Sequence, residues 1–454
     1  MYNTVHASEK DSLRRIDEIR VSGNEKTETA IILRELPVDE GDYITLRESE
    51  QIKKRIEENL MNTGLFNFIE VSYTVRSGTV NYEINVEERW YIWPKVSIDY
   101  ADRNINSWWR KKDPGRINYT IGLSHQNFRG KGEEIGAKLQ LGHEQAFSLN
   151  YSIPYLNRAK TLGFMLNTTY KALHTLQYGS IDHQSLYATL EDKYLSESLQ
   201  FTASLKYRPH IKTQHRFTLG WYNYRLNDTL KALNKNYASQ TEYGFVYLSY
   251  TGKFDYRDYK AYPLQGYYLD FQAKKYGWNT QSIDHLILKS TFRKYFPLYN
   301  NNWYFAASIT GQCKAGGQIP YFLIKNKGMG YNRDYVRGME HYVFDRPNWT
   351  YVKTNIKRKI LSQKIIQVGF LKNEFLGEKF SKIPIRIFAN LFYDAGYVFG
   401  QPQEEEINPL LNEWHQGFGL GLDLISYYDK VLRTEISLNQ RGETGVYFHM
   451  IAPI

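Results

Sequence analysis

The sequence predicts a mainly β protein: a 16-stranded antiparallel transmembrane β-barrel over residues 93–454, one small α/β domain over 15–92 before it, and an N-terminal tail of residues 1–14. Three observations lead there. The 454 residues include 39 Tyr and 9 Trp, yet mean hydropathy is −0.57, and no stretch nears the ~18 consecutive apolar residues of a membrane-spanning helix. From Trp93 onward, short runs alternate apolar and polar residues without a helical period among them. The links between those runs are short and long by turns, as in a barrel with tight turns at one rim and loops at the other.

The tail, "MYNTVHASEKDSLRR", has no apolar signal-peptide core, so the chain is either a mature or trimmed form or not exported, and the barrel pattern below favours the first. Next, "RIDEIRVSGN" alternates, with Ile16, Ile19 and Val21 apolar, and stops at Gly23-Asn24. Thr27–Leu36 has helical spacing, with Thr27 as its N-cap and Pro37 as its end. In "LRESEQIKKRIEENLMNTG" Leu46, Ile52, Ile56 and Leu60 share a helix face, and Gly64 caps it. "FNFIEVSYTV" and "TVNYEINVEE" alternate on either side of a hairpin turn at Ser77-Gly78. The order is β-α-α-β-β. Such a sheet leaves an edge free, where an extended peptide adds as another strand. The candidate edge is "FIEVSYTV", with Phe68, Val71, Tyr73 and Val75.

Sixteen strand-like runs follow, from 95–101 to 445–452, and an even number returns both ends to one rim. In "INYTIGLSH" Ile117, Tyr119, Ile121 and Leu123 share one face and Asn118, Thr120, Gly122 and Ser124 the other. In "IRIFANLFYDAG" Ile385, Ile387, Ala389, Leu391 and Tyr393 oppose Arg386, Asn390, Asp394 and Gly396. A soluble sandwich alternates too, so the links decide. "RGKGE", "LNRAK", "PHIKTQ", "PLYNNN" and "SYYDK" are short; 102–116, 175–195, 227–240 and 315–348 are long. The exception is 362–383, which falls on the short-turn rim and reads as an insertion. The small domain sits on that same rim.

Residues 1–93 carry 12 Lys and Arg against 18 Asp and Glu, a net −6, which leaves +16 for the rest of a chain whose total is +10. The basic residues are scattered among Tyr-rich strands with no compact basic helix, which argues against nucleic acid. Cys313 is the single cysteine, so no intrachain disulfide forms. There is no G-x-S-x-G, H-E-x-x-H or Walker loop, and the expectation is a non-enzyme with no cofactor and no metal. Glu404, Glu405 and Glu406 read as a solvated acidic loop tip.

The longest link, 315–348, carries "YNRDYVRGMEHYV", whose Tyr331, Tyr335, Met339 and Tyr342 suit a loop that packs against something. At this point resemblance adds to the reading. "IDEIRVSGNEKTETAIILREL", "NLMNTGLFNFIEV" and "NYEINVEERWYIWP" resemble a POTRA domain, through Gly23, Asn24, Gly64 and Phe66 above all. "QNFRGKGEEI", "DYRDYKAYPLQG", "YVRGMEHY" and "FYDAGYV" resemble the barrel of BamA/TamA-type outer-membrane insertases, a superfamily that also holds two-partner-secretion transporters. The resemblance implies that the loop, with Val336, Arg337, Gly338 and Met339, folds back into the lumen as a plug. Arg337 would pair there with Asp394, two residues before Gly396 of the D-x-G motif.

It also implies an outer-membrane location with the small domain in the periplasm. The partners implied are the lipid bilayer, unfolded outer-membrane protein clients and accessory periplasmic lipoproteins. The activity implied is assembly: capture of a client at the POTRA edge, then templating of its strands at a lateral seam between the first and last barrel strands. The alternatives are a secretion pore and, in a different class, a passive diffusion porin. Two residues depart from the family pattern. Lys357 stands about where an acid is usual, so the luminal network must differ, and the chain ends on Ile454 rather than an aromatic.

Overall fold

The computed structural model describes residues 12–76, 78–100, 117–280, 283–324, 327–331, 334–367, 382–401, 408–426 and 430–450. The acidic tip at Glu404–Glu406, the link 102–116, Ser77, Ile454 and most of the N-terminal tail lie outside them. Among the described residues no helix is long and apolar enough to cross a membrane.

The N-terminal domain holds β1 (Leu13–Ser22), α1 (Thr29–Leu33), β2 (Tyr43–Thr45), α2 (Leu46–Met61), β3 (Phe66–Arg76) and β4 (Thr79–Glu88), with sheet order β2-β1-β4-β3. The expected β-α-α-β-β order omits β2, whose three residues pair with the start of β1 and are too few to show alternation. The first helix is shorter than expected, and Thr27 does not cap it. Its hydroxyl and amide instead donate to the buried Glu88 carboxylate, at 2.6 and 2.7 Å. The second helix is capped by Thr45, which exchanges hydrogen bonds with Glu48 in a capping box. Both helices lie on one sheet face, where Ile32, Ile52, Ile56 and Leu60 meet Ile16, Val71, Tyr82 and Ile84.

The barrel strands are β5 (Ile92–Tyr100), β6 (Ile117–Phe128), β7 (Glu133–Gly142), β8 (Glu144–Ile153), β9 (Leu162–Leu173), β12 (Ser196–His210), β13 (Thr213–Leu226), β14 (Glu242–Asp255), β15 (Gly266–Thr280), β16 (Ile283–Pro297), β17 (Trp303–Gly316), β18 (Trp349–Gln367), β19 (Lys382–Val398), β20 (Trp414–Ile425), β21 (Val431–Asn439) and β22 (Thr444–His449). They form one 16-stranded antiparallel sheet in sequence order. A hairpin, β10 (Thr175–Ile181) with β11 (Gln184–Thr189), fills one long link, and short helices α3 (Asp228–Leu233) and α4 (Tyr321–Ile324) fill two others. Those helical turns were not expected from the sequence. At the unusual link 362–383, β18 and β19 extend as a paired ribbon out to Gln367 and Lys382.

Alternation is inverted relative to a soluble protein. On β6, Tyr119, Ile121 and Leu123 face outward while Asn118 and Thr120 are buried; on β21, Leu432 and Ile436 face outward while Arg433, Glu435 and Ser437 are buried. Only a lipid solvent accepts such an exterior, and each barrel strand from β6 to β21 pairs with a neighbour on both sides.

The N-terminal domain docks on the short-turn rim. The Glu35 carboxylate, 2% exposed, takes a guanidinium fork from Arg208 of β12 and the Tyr155 hydroxyl at 2.8 Å. The Glu28 amide donates to the Gly130 carbonyl at 2.9 Å, and Asn127 Nδ2 to Thr27 Oγ1 at 2.8 Å. Gly130 has φ +73, and a Cβ there would stand 2.1 Å from the Lys26 carbonyl, so only glycine allows this approach.

Candidate functional site in the barrel lumen

Between β17 and β18 the loop turns back into the lumen instead of extending outward. Backbone bridges Met329–Phe344 and Tyr331–Asp334 hold it as an irregular hairpin. Met329, Val336, Met339, Tyr342 and Phe344 pack with Trp349, Tyr351, Val398, Leu410 and Leu411 in one apolar cluster. Val336 fits a notch left by Gly396, where a Cβ would come within 2.7 Å of its Cγ2. The D-x-G glycine is therefore a seat for the loop. Gly338, at φ +87, takes a turn that disfavours side chains, and its carbonyl accepts from Asn439 Nδ2 at 2.9 Å.

The seat fixes Arg337, which is fully buried. Its Nε donates to Asp394 Oδ2 at 2.8 Å and its Nη2 to Asp394 Oδ1 at 2.5 Å, a bidentate fork. The remaining donors reach Asn355 Oδ1 at 2.8 Å, the Thr354 carbonyl at 3.2 Å and Glu435 Oε1 at 3.3 Å. The guanidinium carbon, Cζ, lies 3.9 Å from the Phe392 ring centroid. A buried cation of this kind needs all its donors occupied, and here five acceptor contacts and an aromatic face surround it.

The network continues past the expected pair. Glu435 Oε1 also accepts from Arg433 Nη1, at 3.2 Å. Arg433 in turn forks onto Asp423, with Nη2 at 2.7 Å. Asp423 accepts from Asn390 Nδ2 at 3.1 Å and from the Tyr262 hydroxyl at 2.5 Å. The result is a row: Asp394, Arg337, Glu435, Arg433, Asp423. Lys357 does not oppose Arg337 by contact, because its ammonium lies 4.4 Å over the Tyr262 ring. In the loop itself, Gly338 N donates to Glu340 Oε2 at 2.7 Å. Burial pushes the Glu340 carboxyl up to about 8, and the charge of Glu435 adds to the effect.

Sequence reasoning did not single out Glu435, Arg433, Asp423, Asn355 or Tyr262. A signal existed for three of them: alternation in "LRTEISLN" and "FGLGLDL" puts Arg433, Glu435 and Asp423 on the inward face. Tyr262 lies in a link, where alternation gives no signal, although the quoted "DYRDYKAYPLQG" segment contains it.

In the N-terminal domain, Gly23 has φ +82 and a Cβ there would stand 2.0 Å from the Val86 carbonyl. Asn24 Nδ2 closes the turn onto the Thr27 carbonyl at 2.9 Å. Gly64 has φ +76, and Phe66 is fully buried. The strand β3 pairs only with β4 among the described residues, so its other edge is unpaired. The four candidate contact residues on it differ in burial. Val71 is buried under the helices and Tyr73 leans on Tyr82 with ring centroids 5.9 Å apart, because theirs is the face of β3 that the helices cover. Phe68 is half-buried and Val75 is exposed, so the edge offers backbone groups rather than a row of four side chains.

Among the described residues no group of three His, Cys, Asp or Glu is placed to hold a metal. The loop is thus held in the lumen by a buried charge row and an apolar cluster together.

This geometry defines a class, a 16-stranded β-barrel of membrane type with a lumen-seated loop and a docked α/β domain. Comparison with known proteins names the domains. Residues 14–89 match the POTRA family model, described as surface antigen variable number repeat, and residues 127–338 match the Omp85 superfamily domain. The chain therefore carries a POTRA domain followed by an Omp85 superfamily domain. Its fold is similar to BamA from Haemophilus ducreyi lacking POTRA domains 1-3, at TM-score 0.53 and 14% identity over 96% of this chain and 83% of that one. It is likewise similar to CdiB from Escherichia coli, at TM-score 0.56 and 13% identity over 96% of this chain and 75% of that one. No curated protein sequence matches it.

Proposed function

We propose that the protein assembles outer-membrane proteins by templating client β-strands at a lateral seam between β5 and β22. The observation that carries this reading is the seam itself. Among the described residues β5 pairs only with β6 and β22 only with β21, and no ladder joins the two. β22 has six residues, against nine to nineteen for the other barrel strands. Unpaired strand backbone at membrane depth costs several kcal/mol per group, so a client strand that satisfies it lowers its own insertion barrier. The free edge of β3 supplies a prior capture point by strand addition on the periplasmic side. No nucleotide enters this scheme, since pairing itself drives it.

The second reading is a secretion pore in which a client threads the lumen after the loop leaves. The polar luminal wall favours it. Photocrosslinking separates the two, with the probe at Ser97 on β5 or at Ser437 on the wall under the loop, in proteoliposomes offered an unfolded outer-membrane protein. Templating predicts adducts from Ser97. Adducts from Ser437 with none from Ser97 would replace it with the pore.

A further inference from the structure

The link between β14 and β15, residues 256–265, belongs to the short-turn rim, yet it does not stay there. Tyr262 reaches across the mouth of the barrel to strands on the far wall. It is fully buried, its ring centroid lies 4.9 Å from that of Phe388 on β19, and its hydroxyl donates to Asp423 on β20. The other end of the same link is gripped by the POTRA domain. Asn62, just past α2, donates from Nδ2 to the Asp258 carbonyl at 3.0 Å and accepts from the Lys260 amide at 3.1 Å. Its own carbonyl accepts from Lys260 Nζ, also at 3.1 Å.

We infer that Tyr262 is a positioning residue for the luminal loop, and that through it the POTRA domain sets how firmly the loop is seated. The reason lies in a shared acceptor. Glu435 Oε1 takes one hydrogen bond from Arg337 and one from Arg433, at 3.3 and 3.2 Å. Arg433 stays divided between Glu435 and Asp423 only while Asp423 stays where Tyr262 and Asn390 hold it. Without the Tyr262 hydroxyl, Asp423 loses a charge-assisted bond and can shift, and Arg433 moves onto Glu435. Arg337 then shares its second carboxylate less, and the loop seat weakens. Lys357 reinforces the same residue from above, with its ammonium over the Tyr262 ring. Displacement of the POTRA domain by a captured client would pull the link at Asn62 and release Tyr262. Capture below would thus loosen the loop above, by contacts alone.

The inference rests on the loop being displaceable, and the experiment keeps the two ideas apart. Ser437 is 2% exposed and lies under Gly338, where a Cβ would stand 3.5 Å from its Oγ. A Ser437→Cys probe in a Cys313→Ser full-length background is labelled by a water-soluble maleimide only when the loop lifts. Tyr262→Phe is expected to raise the labelling rate on the order of tenfold, with Asn62→Ala in the same direction and smaller. In a Glu435→Gln background Tyr262→Phe should add little, because its path to the loop runs through Glu435. Heat-modifiable migration confirms a folded barrel for each variant, and Asn62→Ala, outside the barrel, decides the case if Tyr262→Phe does not fold. Arg337→Ala is the control. If it raises labelling while Tyr262→Phe and Asn62→Ala leave it unchanged, or if Tyr262→Phe multiplies fully on Glu435→Gln, the inference is overturned and the displaceable loop stands. If Arg337→Ala has no effect, both fall together.

Discussion

In the N-terminal domain the hidden side chains are Ile16, Ile56, Leu60, Phe66 and Val80; in the barrel they include Arg337, Asp394, Asp423, Arg433 and Glu435. Both regions are built on strands that alternate. The difference is the solvent on the outer face. Around the POTRA sheet it is water, so apolar residues turn inward and burial of carbon drives folding. Around the barrel it is lipid, so Ile121, Leu391, Leu420 and Ile436 turn outward and the interior takes the charged groups beside aromatic and apolar ones. A POTRA core tolerates loss of shape poorly but carries almost no charge. The lumen tolerates shape change, since water can enter, but every ion in it needs a partner. The same chain thus has two failure modes, and substitutions can tell them apart.

The largest effect is expected at Asp394. Asp394→Asn leaves Arg337 buried with Glu435 as its one carboxylate, at 3.3 Å, and breaking a buried pair from one side costs about 3–5 kcal/mol. The low end applies here, because Asn355, the Thr354 carbonyl and Glu435 remain as acceptors. Labelling of the Ser437→Cys probe should rise on the order of a hundredfold. The comparison sharpens with the double variant Arg337→Met/Asp394→Asn. Removing both charges leaves no orphan, so it should seat the loop better than Asp394→Asn alone. A double variant worse than the single would show that the lumen is held by packing, as the POTRA core is, and would erase the contrast drawn above.

Much of this was legible in the sequence, and the reasons differ by element. The sixteen barrel strands could be read because each spans a bilayer with one lipid face, and that demand writes a long clean period. β2 could not, since three residues hold no period. α1 was overestimated because Thr27 looks like a helix cap locally, while the buried Glu88, 61 residues away, takes its amide and hydroxyl. In the lumen, Arg337 and Asp394 were named from motif and alternation together, and the structure brings them to 2.5 Å. Glu435 and Arg433 stood on a readable inward face but in no motif, so nothing chose them over other inward residues. Tyr262 lay in the quoted "DYRDYKAYPLQG" segment, but nothing there chose it over its neighbours: its place depends on a link crossing the mouth, and link paths are set by tertiary contacts. Val71 and Tyr73 were assigned to an exposed edge because period alone does not say which face the helices cover.

A smaller effect is expected in the other region. Ile56 is fully buried between α2 and the POTRA sheet, and Ile56→Ala should cost about 2–4 kcal/mol through lost transfer energy and the cavity left behind. Urea titration followed by proteolysis of the N-terminal domain measures it. The barrel's heat-modifiable migration should not change, because that domain meets it through polar contacts such as Glu35 with Arg208. A variant whose barrel also loosens would mean that the two regions fold as one unit.

The smallest effect is a pair of opposite pH slopes, one in each region. Burial alone would raise the Glu35 carboxyl, but the hydrogen bonds and charge of Arg208 outweigh it and hold the group below its ordinary 4.5. Its contribution to POTRA docking is therefore complete above pH 4.5 and is lost as pH falls through the lower docked-state value. Glu340 goes the other way, raised to about 8 by burial in the loop. Its contribution to loop seating is complete below 4.5, the ordinary value, and is lost as pH rises through about 8. Thiol labelling itself speeds up with pH, so the useful quantity is the Ser437→Cys labelling rate relative to that of the same probe with Glu340→Gln. That ratio should rise steadily between pH 5 and pH 8.5, roughly the window between the two Glu340 values. Docking, read from crosslinking between residues 28 and 131 in the full chain with Glu35 intact, should stay flat over the same window and fall only below about pH 4.5. A flat labelling ratio would mean that Glu340 keeps water at its carboxylate, and the loop would then be wetter than its burial implies.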